Sequence, residues 1–166
     1  HQPSYSKKSA SSHKQSNNRS KTNVIRLKQN TKLIDINYKD SAGWNALLLL
    51  CRYNTNSKLI DCIRLLLERG IEVNATNNEG WNCLLFLCRY YPHSNLINII
   101  RLLIDEWKIE VNVIVRPDHW NALLFLCRNY VHENILEIIQ LMIKRGVDCR
   151  LTDKDGWNAL LYICRY

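Results

Sequence analysis

The sequence predicts an all-α solenoid of helix–loop–helix repeats, joined by short β-hairpin-like finger turns and preceded by a disordered basic tail. Three observations predict it. The segment GWNALLLLCRY at 43–53 recurs as GWNCLLFLCRY at 80–90, HWNALLFLCRNY at 119–130 and GWNALLYICRY at 156–166. Its tryptophans, Trp44, Trp81, Trp120 and Trp157, are spaced by 37, 39 and 37 residues, a period that marks stacked supersecondary units rather than one globular core. Between recurrences lies a second apolar segment of helical periodicity: LIDCIRLLLER at 59–69, LINIIRLLIDEW at 96–107 and ILEIIQLMIKR at 135–145.

Each unit opens with a short helix. Asn45, Asn82, Asn121 and Asn158 stand where an N-cap is needed, since the asparagine oxygen accepts a free N–H of the first turn. The run behind each, such as Ala46–Cys51, is too apolar for a surface helix and is expected to be buried on most sides. In the second helix, polar Asp61, Arg64, Glu68 and Arg69 alternate with an apolar stripe through Ile60, Ile63, Leu66 and Leu67. Ser57 and Ser94 are expected to cap it, and Gly70 and Gly146 to end it in the left-handed conformation. An extended stretch follows (IEVN at 71–74 and 109–112, VDCR at 147–150), then a polar turn such as NEG at 78–80 or KDG at 154–156. Neither helix can bury its apolar side alone, so neighbouring units must stack.

This pattern resembles the ankyrin-repeat family, whose repeats read roughly D-x-x-G-x-T-P-L-H-x-A-A, then I-V-x-L-L-L-x-x-G, then A-D-V-N-A. Asp40, Gly43, Leu47, Ile63, Leu65, Leu66, Leu67, Gly70, Val73, Asn74 and Ala75 stand where the pattern expects them, as do Asp153, Gly156 and Leu160 in the last unit. The likeness covers about residues 33–166. NALL or NCLL replaces the T-P-L-H tetrad, so Leu48, Leu85, Leu124 and Leu161 stand in place of a hydrogen-bonding histidine. The loop between the two helices is four residues longer than the family pattern. The third unit adds one residue near Trp107–Lys108 and another near Val113–His119. The units are expected at 35–70, 71–108, 109–146 and, in part, 147–166. Residues 23–34 are a candidate degenerate N-terminal cap, and residues 1–22 a disordered tail.

Composition bounds the function. The chain has 166 residues, 46% of them hydrophobic, enough for a stack of three to four repeats. No apolar run reaches the ~18–20 residues that span a bilayer, and no signal-peptide core is present. Because it starts at His1 and ends at Tyr166 after a first helix, the chain is expected to be a fragment of a longer protein. Cys51, Cys88, Cys127 and Cys164 share one repeat position and are expected to be small packing residues rather than metal ligands. Equivalent positions in stacked helices are too far apart for disulfides. Free thiols suit the cytosol or nucleus. Residues 1–34 hold eight Lys and Arg and no acid, whereas residues 35–166 hold 15 basic and 15 acidic residues. Three readings of the basic tail stand: a soluble linker, a docking or nuclear-import segment, and a nucleic-acid contact made through phosphates.

The resemblance implies a concave groove lined by the first helices and finger turns. It places in that groove Trp44, Trp81, Trp120 and Trp157, which follow the turn, and Leu49, Phe86, Phe125 and Tyr162 on the first helix. Arg52, Arg89, Arg128 and Arg165 close the same helices. These read as three parallel ladders. Large aromatics and Arg are what partner hot spots use, and the ladders suit a peptide with apolar anchors and acidic residues. The same identities also serve inter-repeat packing, so a structural role for the Trp and Arg ladders stands beside the binding one. The Leu–Phe–Phe–Tyr series is expected to face solvent. The finger tips vary most, as specificity determinants would. His13, His93, His119 and His132 are scattered, with no nucleophile or carboxylate at matching positions, and no phosphate loop is present. The expectation is a non-catalytic module, needing no cofactor or metal, that binds a polypeptide. The alternatives are a structural spacer, or a chromatin- or nucleic-acid-associated factor bound through residues 1–34.

Overall fold

The computed structural model describes residues 35–165; the expected tail at 1–22 and cap at 23–34 lie outside them. The described residues form seven α-helices: α1 Ala46–Tyr53, α2 Leu59–Glu68, α3 Cys83–Tyr90, α4 Leu96–Arg101, α5 Ala122–Asn129, α6 Ile135–Lys144 and α7 Ala159–Arg165. The odd-numbered helices are the recurring GWN segments. They form an inner row in which α1 packs on α3, α3 on α5 and α5 on α7. The even-numbered helices form a second layer, α1 packing on α2, α5 on α6 and α4 on α6.

The asparagine caps are formed. Oδ1 of Asn45, Asn82, Asn121 and Asn158 accepts the N–H of Leu48, Leu85, Leu124 and Leu161 at 2.9–3.0 Å. Two of these side chains also reach the next unit. Asn82 Nδ2 donates to the Glu110 carbonyl at 3.0 Å, and Asn121 Nδ2 to the Asp148 carbonyl at 3.1 Å. One amide thus caps its own helix and ties it to its neighbour. The serines do not cap the second helices. α2, α4 and α6 start after Lys58, Asn95 and Asn134, none of which makes a side-chain cap bond. The longer loop turns the chain through backbone bonds instead, and the Ser57 and Ser94 carbonyls accept Asn95 and Asn134 Nδ2 at 2.7 Å.

Gly70 and Gly146 end α2 and α6 at φ of +88° and +89°. The paired bonds Gly70 N–H to Leu67 C=O and Ile71 N–H to Leu66 C=O close the helix end. The extra residue of the intervening unit is taken up inside the helix. α4 continues as a π-helical turn, Leu102–Glu106, in which Trp107 N–H reaches back to the Leu102 carbonyl. Lys108 then stands at the glycine position with φ +56°.

The fingers bridge units through asparagines. Asn37, Asn74 and Asn112 Oδ1 accept the N–H of Glu72, Glu110 and Asp148 at 2.7–2.8 Å. At the tips, Asp40, Asn77 and Asp153 Oδ1 each accept two backbone N–H groups, one of them from the following Trp. Among the described residues these fingers are turns rather than ladders. One isolated antiparallel bridge, Val115 with Trp120, spans the longer third tip. Gly43 is needed where the fingers touch, because a Cβ there would lie 2.8 Å from the Asn78 nitrogen. Salt bridges Arg64–Glu106 and Arg101–Glu137, both at 3.0 Å, and Arg145–Asp105 at 2.6 Å tie the second-helix layer together.

Candidate functional site

The three expected ladders merge into one column. Phe86 stacks on Trp44 of the preceding unit at 4.9 Å and on its own Trp81 at 5.0 Å. Phe125 lies between Trp81 and Trp120, 4.9 Å from each. Tyr162 lies between Trp120 and Trp157, at 5.1 and 5.3 Å. Seven rings therefore alternate, indole with phenyl or phenol, from Trp44 to Trp157.

This arrangement corrects the expectation that the Leu–Phe–Phe–Tyr series faces solvent. Phe86 is 3% exposed, Phe125 4% and Tyr162 6%, whereas Leu49 is 44% exposed. Five positions past its own Trp, a ring on the first helix points along the stack and fills the space between two indoles. Leu49 has no such slot among the described residues. Trp81 and Trp120 are also buried, and Trp44 and Trp157 half-buried. One signal for this was in the sequence: the position is aromatic only in the units that follow another Trp-bearing unit.

The arginines cover the column. Arg89 lies 5.3 Å over Trp81, Arg128 5.2 Å over Trp120 and Arg165 5.0 Å over Trp157. Arg52 lies 3.7 Å over Tyr90 of the next unit. A guanidinium over an aromatic ring is attracted by the ring's negative face. Arg52 and Arg89 pair with no carboxylate among the described residues. Arg128 acts on Asp153. Burial pushes the Asp153 carboxyl up, but the Tyr162 hydroxyl, two backbone N–H groups and the Arg128 charge outweigh this and hold it below the usual carboxylate range. Burial and that same carboxylate push the Tyr162 phenol up to about 12.

Between the second and third units the column borders a cavity of about 220 Å³ lined by Trp81, Trp120, Phe125, Arg89, Arg128 and Asn129, with Val115 and Asp118 at the finger. Asp118 pairs with Lys154 at 3.1 Å. The enclosed side-chain polar atoms without a partner are Asn45 Nδ2 and Trp107 Nε1 among the described residues.

Two of the scattered histidines are part of the frame. His93 Nε2 bonds the Thr55 carbonyl, and His132 Nε2 the Pro92 carbonyl at 2.6 Å. Tyr91 and Tyr130 hydroxyls add bonds to the Asn56 and His93 carbonyls. The lengthened loop thus carries its own inter-unit ladder, spelled in sequence by Tyr-x-His-x-Asn at 91–95 and 130–134. Cys51, Cys88 and Cys127 are buried, with thiol pKa values pushed up by burial, Cys127 to about 11. Cys164 departs from its equivalents and is exposed. No helix among the described residues is long and apolar enough to cross a membrane.

No curated protein matches the chain significantly. The profile of the family described as Ankyrin repeats (3 copies) matches residues 15–115. That span is more than half of the chain: the chain belongs to the ankyrin-repeat family.

Proposed function

We propose that the chain is a non-catalytic protein-interaction module that binds a polypeptide on the face made by its first helices and finger tips. Ankyrin repeats generally serve as interaction modules, and one observation supports that role here. A row of arginines lies over an aromatic column, and two of them, Arg52 and Arg89, pair with no carboxylate among the described residues. The contacting groups on this reading are Arg52, Arg89, Arg128, Arg165, the edges of Trp44, Trp81, Trp120 and Trp157, exposed Leu49 and the variable tips. Phe86, Phe125 and Tyr162 set the column rather than touch the partner. Anchors held this firmly lose little entropy on binding.

The burial of the rings favours a second reading, a structural spacer whose ladders are internal packing. Affinity capture from lysate, with and without nuclease, separates the two, using the full chain and the charge-reversed pair Arg89→Glu and Arg128→Glu. A protein held by the first and lost by the second supports the module. A bound set unchanged by the reversal would favour the spacer. A bound set that nuclease removes would favour nucleic-acid association.

A further inference from the structure

One position departs from the repeat with a chemical consequence. The first residue of the inner helices is Ala46 in α1, Ala122 in α5 and Ala159 in α7, but Cys83 in α3. Cys83 is fully buried, and Cys51 of the preceding unit is 2% exposed. Helix α1 packs on α3, and across that contact the two thiols are hydrogen-bonded to one another. The Cys83 sulfur also lies 3.9 Å from the Val73 carbonyl. Cys83 is not the repeat equivalent of Cys51, so the spacing that keeps equivalent cysteines apart does not separate this pair. By repeat position the matching pairs of the later units are Cys88 with Ala122 and Cys127 with Ala159. A second sulfur therefore stands only at the joint of α1 with α3. We propose that Cys51 and Cys83 are an oxidation site, forming a reversible disulfide that staples one unit to the next.

The oxidant is a small peroxide, because a bulkier molecular disulfide does not reach thiols this deep. One thiolate attacks a peroxide oxygen, the O–O bond breaks, and the sulfur becomes a sulfenic acid while the departing hydroxide takes up a proton as water. The second sulfur then attacks the first. The S–S bond forms, the S–O bond breaks, and a second water carries off the remaining proton. In sum two thiols lose two electrons and two protons, and one hydrogen peroxide becomes two waters. Burial sets the timing. It pushes the Cys51 thiol up, so the reactive thiolate is scarce while the helices are closed. Attack waits on a local opening of α1 from α3, and the bond, once made, holds that opening shut. The same joint carries Trp44 on Phe86 and Arg52 over Tyr90, so the staple fixes the first rung of the aromatic column. A metal ion suits the pair less well, since no group of three or more His, Cys, Asp or Glu among the described residues could hold one.

The test uses the full chain. A short N-ethylmaleimide pulse caps the exposed Cys62, Cys149 and Cys164. Hydrogen peroxide follows, remaining thiols are alkylated in denaturant, and peptides are mapped without reductant. The expected product is a peptide joining Cys51 to Cys83, lighter than the reduced pair by two hydrogens and lost on adding dithiothreitol. Its yield should rise several-fold in urea held below the unfolding transition, and the oxidised chain should melt several degrees above the reduced one. Cys83→Ala installs the residue that the other inner helices carry, so it keeps the packing and should abolish both the joined peptide and the shift. Four results would overturn the proposal: bonds among other cysteines, sulfinic acid at Cys51 or Cys83 in place of the bond, no joined peptide even in urea, and a midpoint that stays or falls after joining. A midpoint shift that survives Cys83→Ala would do the same.

Discussion

Removing one ring from the middle of the column tests the packing account most directly. Phe125 is 4% exposed and touches an indole on each face at 4.9 Å. Truncation to Ala in a core costs about 3–5 kcal/mol, and two stacked pairs at about 0.5–1.5 kcal/mol each place Phe125→Ala at the upper end of that range. Leu49 holds the same repeat position but is 44% exposed. Leu49→Ala should therefore cost about 1 kcal/mol, the share of its side chain that leaves water. Urea unfolding of both variants, followed by far-UV circular dichroism and tryptophan fluorescence, measures the difference. Stability in a stack is a sum over neighbours, so Phe125→Ala should also uncouple the units on either side of it, lowering the denaturant slope or splitting the transition. A loss below ~2 kcal/mol for Phe125→Ala, or equal losses at the two positions, would refute the interleaved column as a stabilising element.

Three further predictions concern the frame. His119 occupies a turn position held by glycine in the other units and has φ +61°; His119→Gly should raise stability by about 0.5–1 kcal/mol, and a lower thermal midpoint would contradict the strain. Asn82→Ala should cost about 2 kcal/mol, from one cap and one inter-unit bond, while Asn82→Ser keeps the cap and should cost about half as much in the same urea assay. The Arg145 guanidinium, by its hydrogen bond and its charge, holds the half-buried Asp105 carboxyl below its ordinary value. Its stabilising effect is thus complete above the unfolded carboxylate pKa of about 4 and lost as pH falls through the lowered folded value. Thermal midpoints of wild type and Asp105→Asn should converge on acidification, and a gap that widens below pH ~3 would reverse the sign of the argument.

The frame was legible because its determinants are local. An asparagine before an apolar run and a glycine after one act within a turn of themselves, and a fixed period needs only the chain to be read. The direction of a side chain across a stack is not local. Phe86 and Phe125 read as groove residues from their place on the helix, and only the indole of the preceding unit turns them into packing. Ser57 and Ser94 looked like caps by composition, but the lengthened loop moved the helix start one residue beyond them. His93 and His132 looked isolated because each bonds a residue 38–40 positions away, a separation that registers only when two loops are compared as equivalents. The arginines were read as a row, yet nothing in their spacing told whether they stood on acids or on rings.

The π-helical turn at Leu102–Glu106 bears on how such a chain can change length. An inserted residue there does not bulge into a surface loop. It is wound into a helix whose flanking side chains, Leu102, Leu103 and Ile104, stay buried. Asp105 within the turn still meets Arg145 of the following unit, and Asn74 still meets Glu110 beyond it. The added residue is absorbed within about one turn, and the units on either side keep their phase. With the second extra residue taken up in the longer third finger tip, repeats of 37 and 39 residues share one spine, so that sequence length drifts from unit to unit while the helices keep stacking on their equivalents.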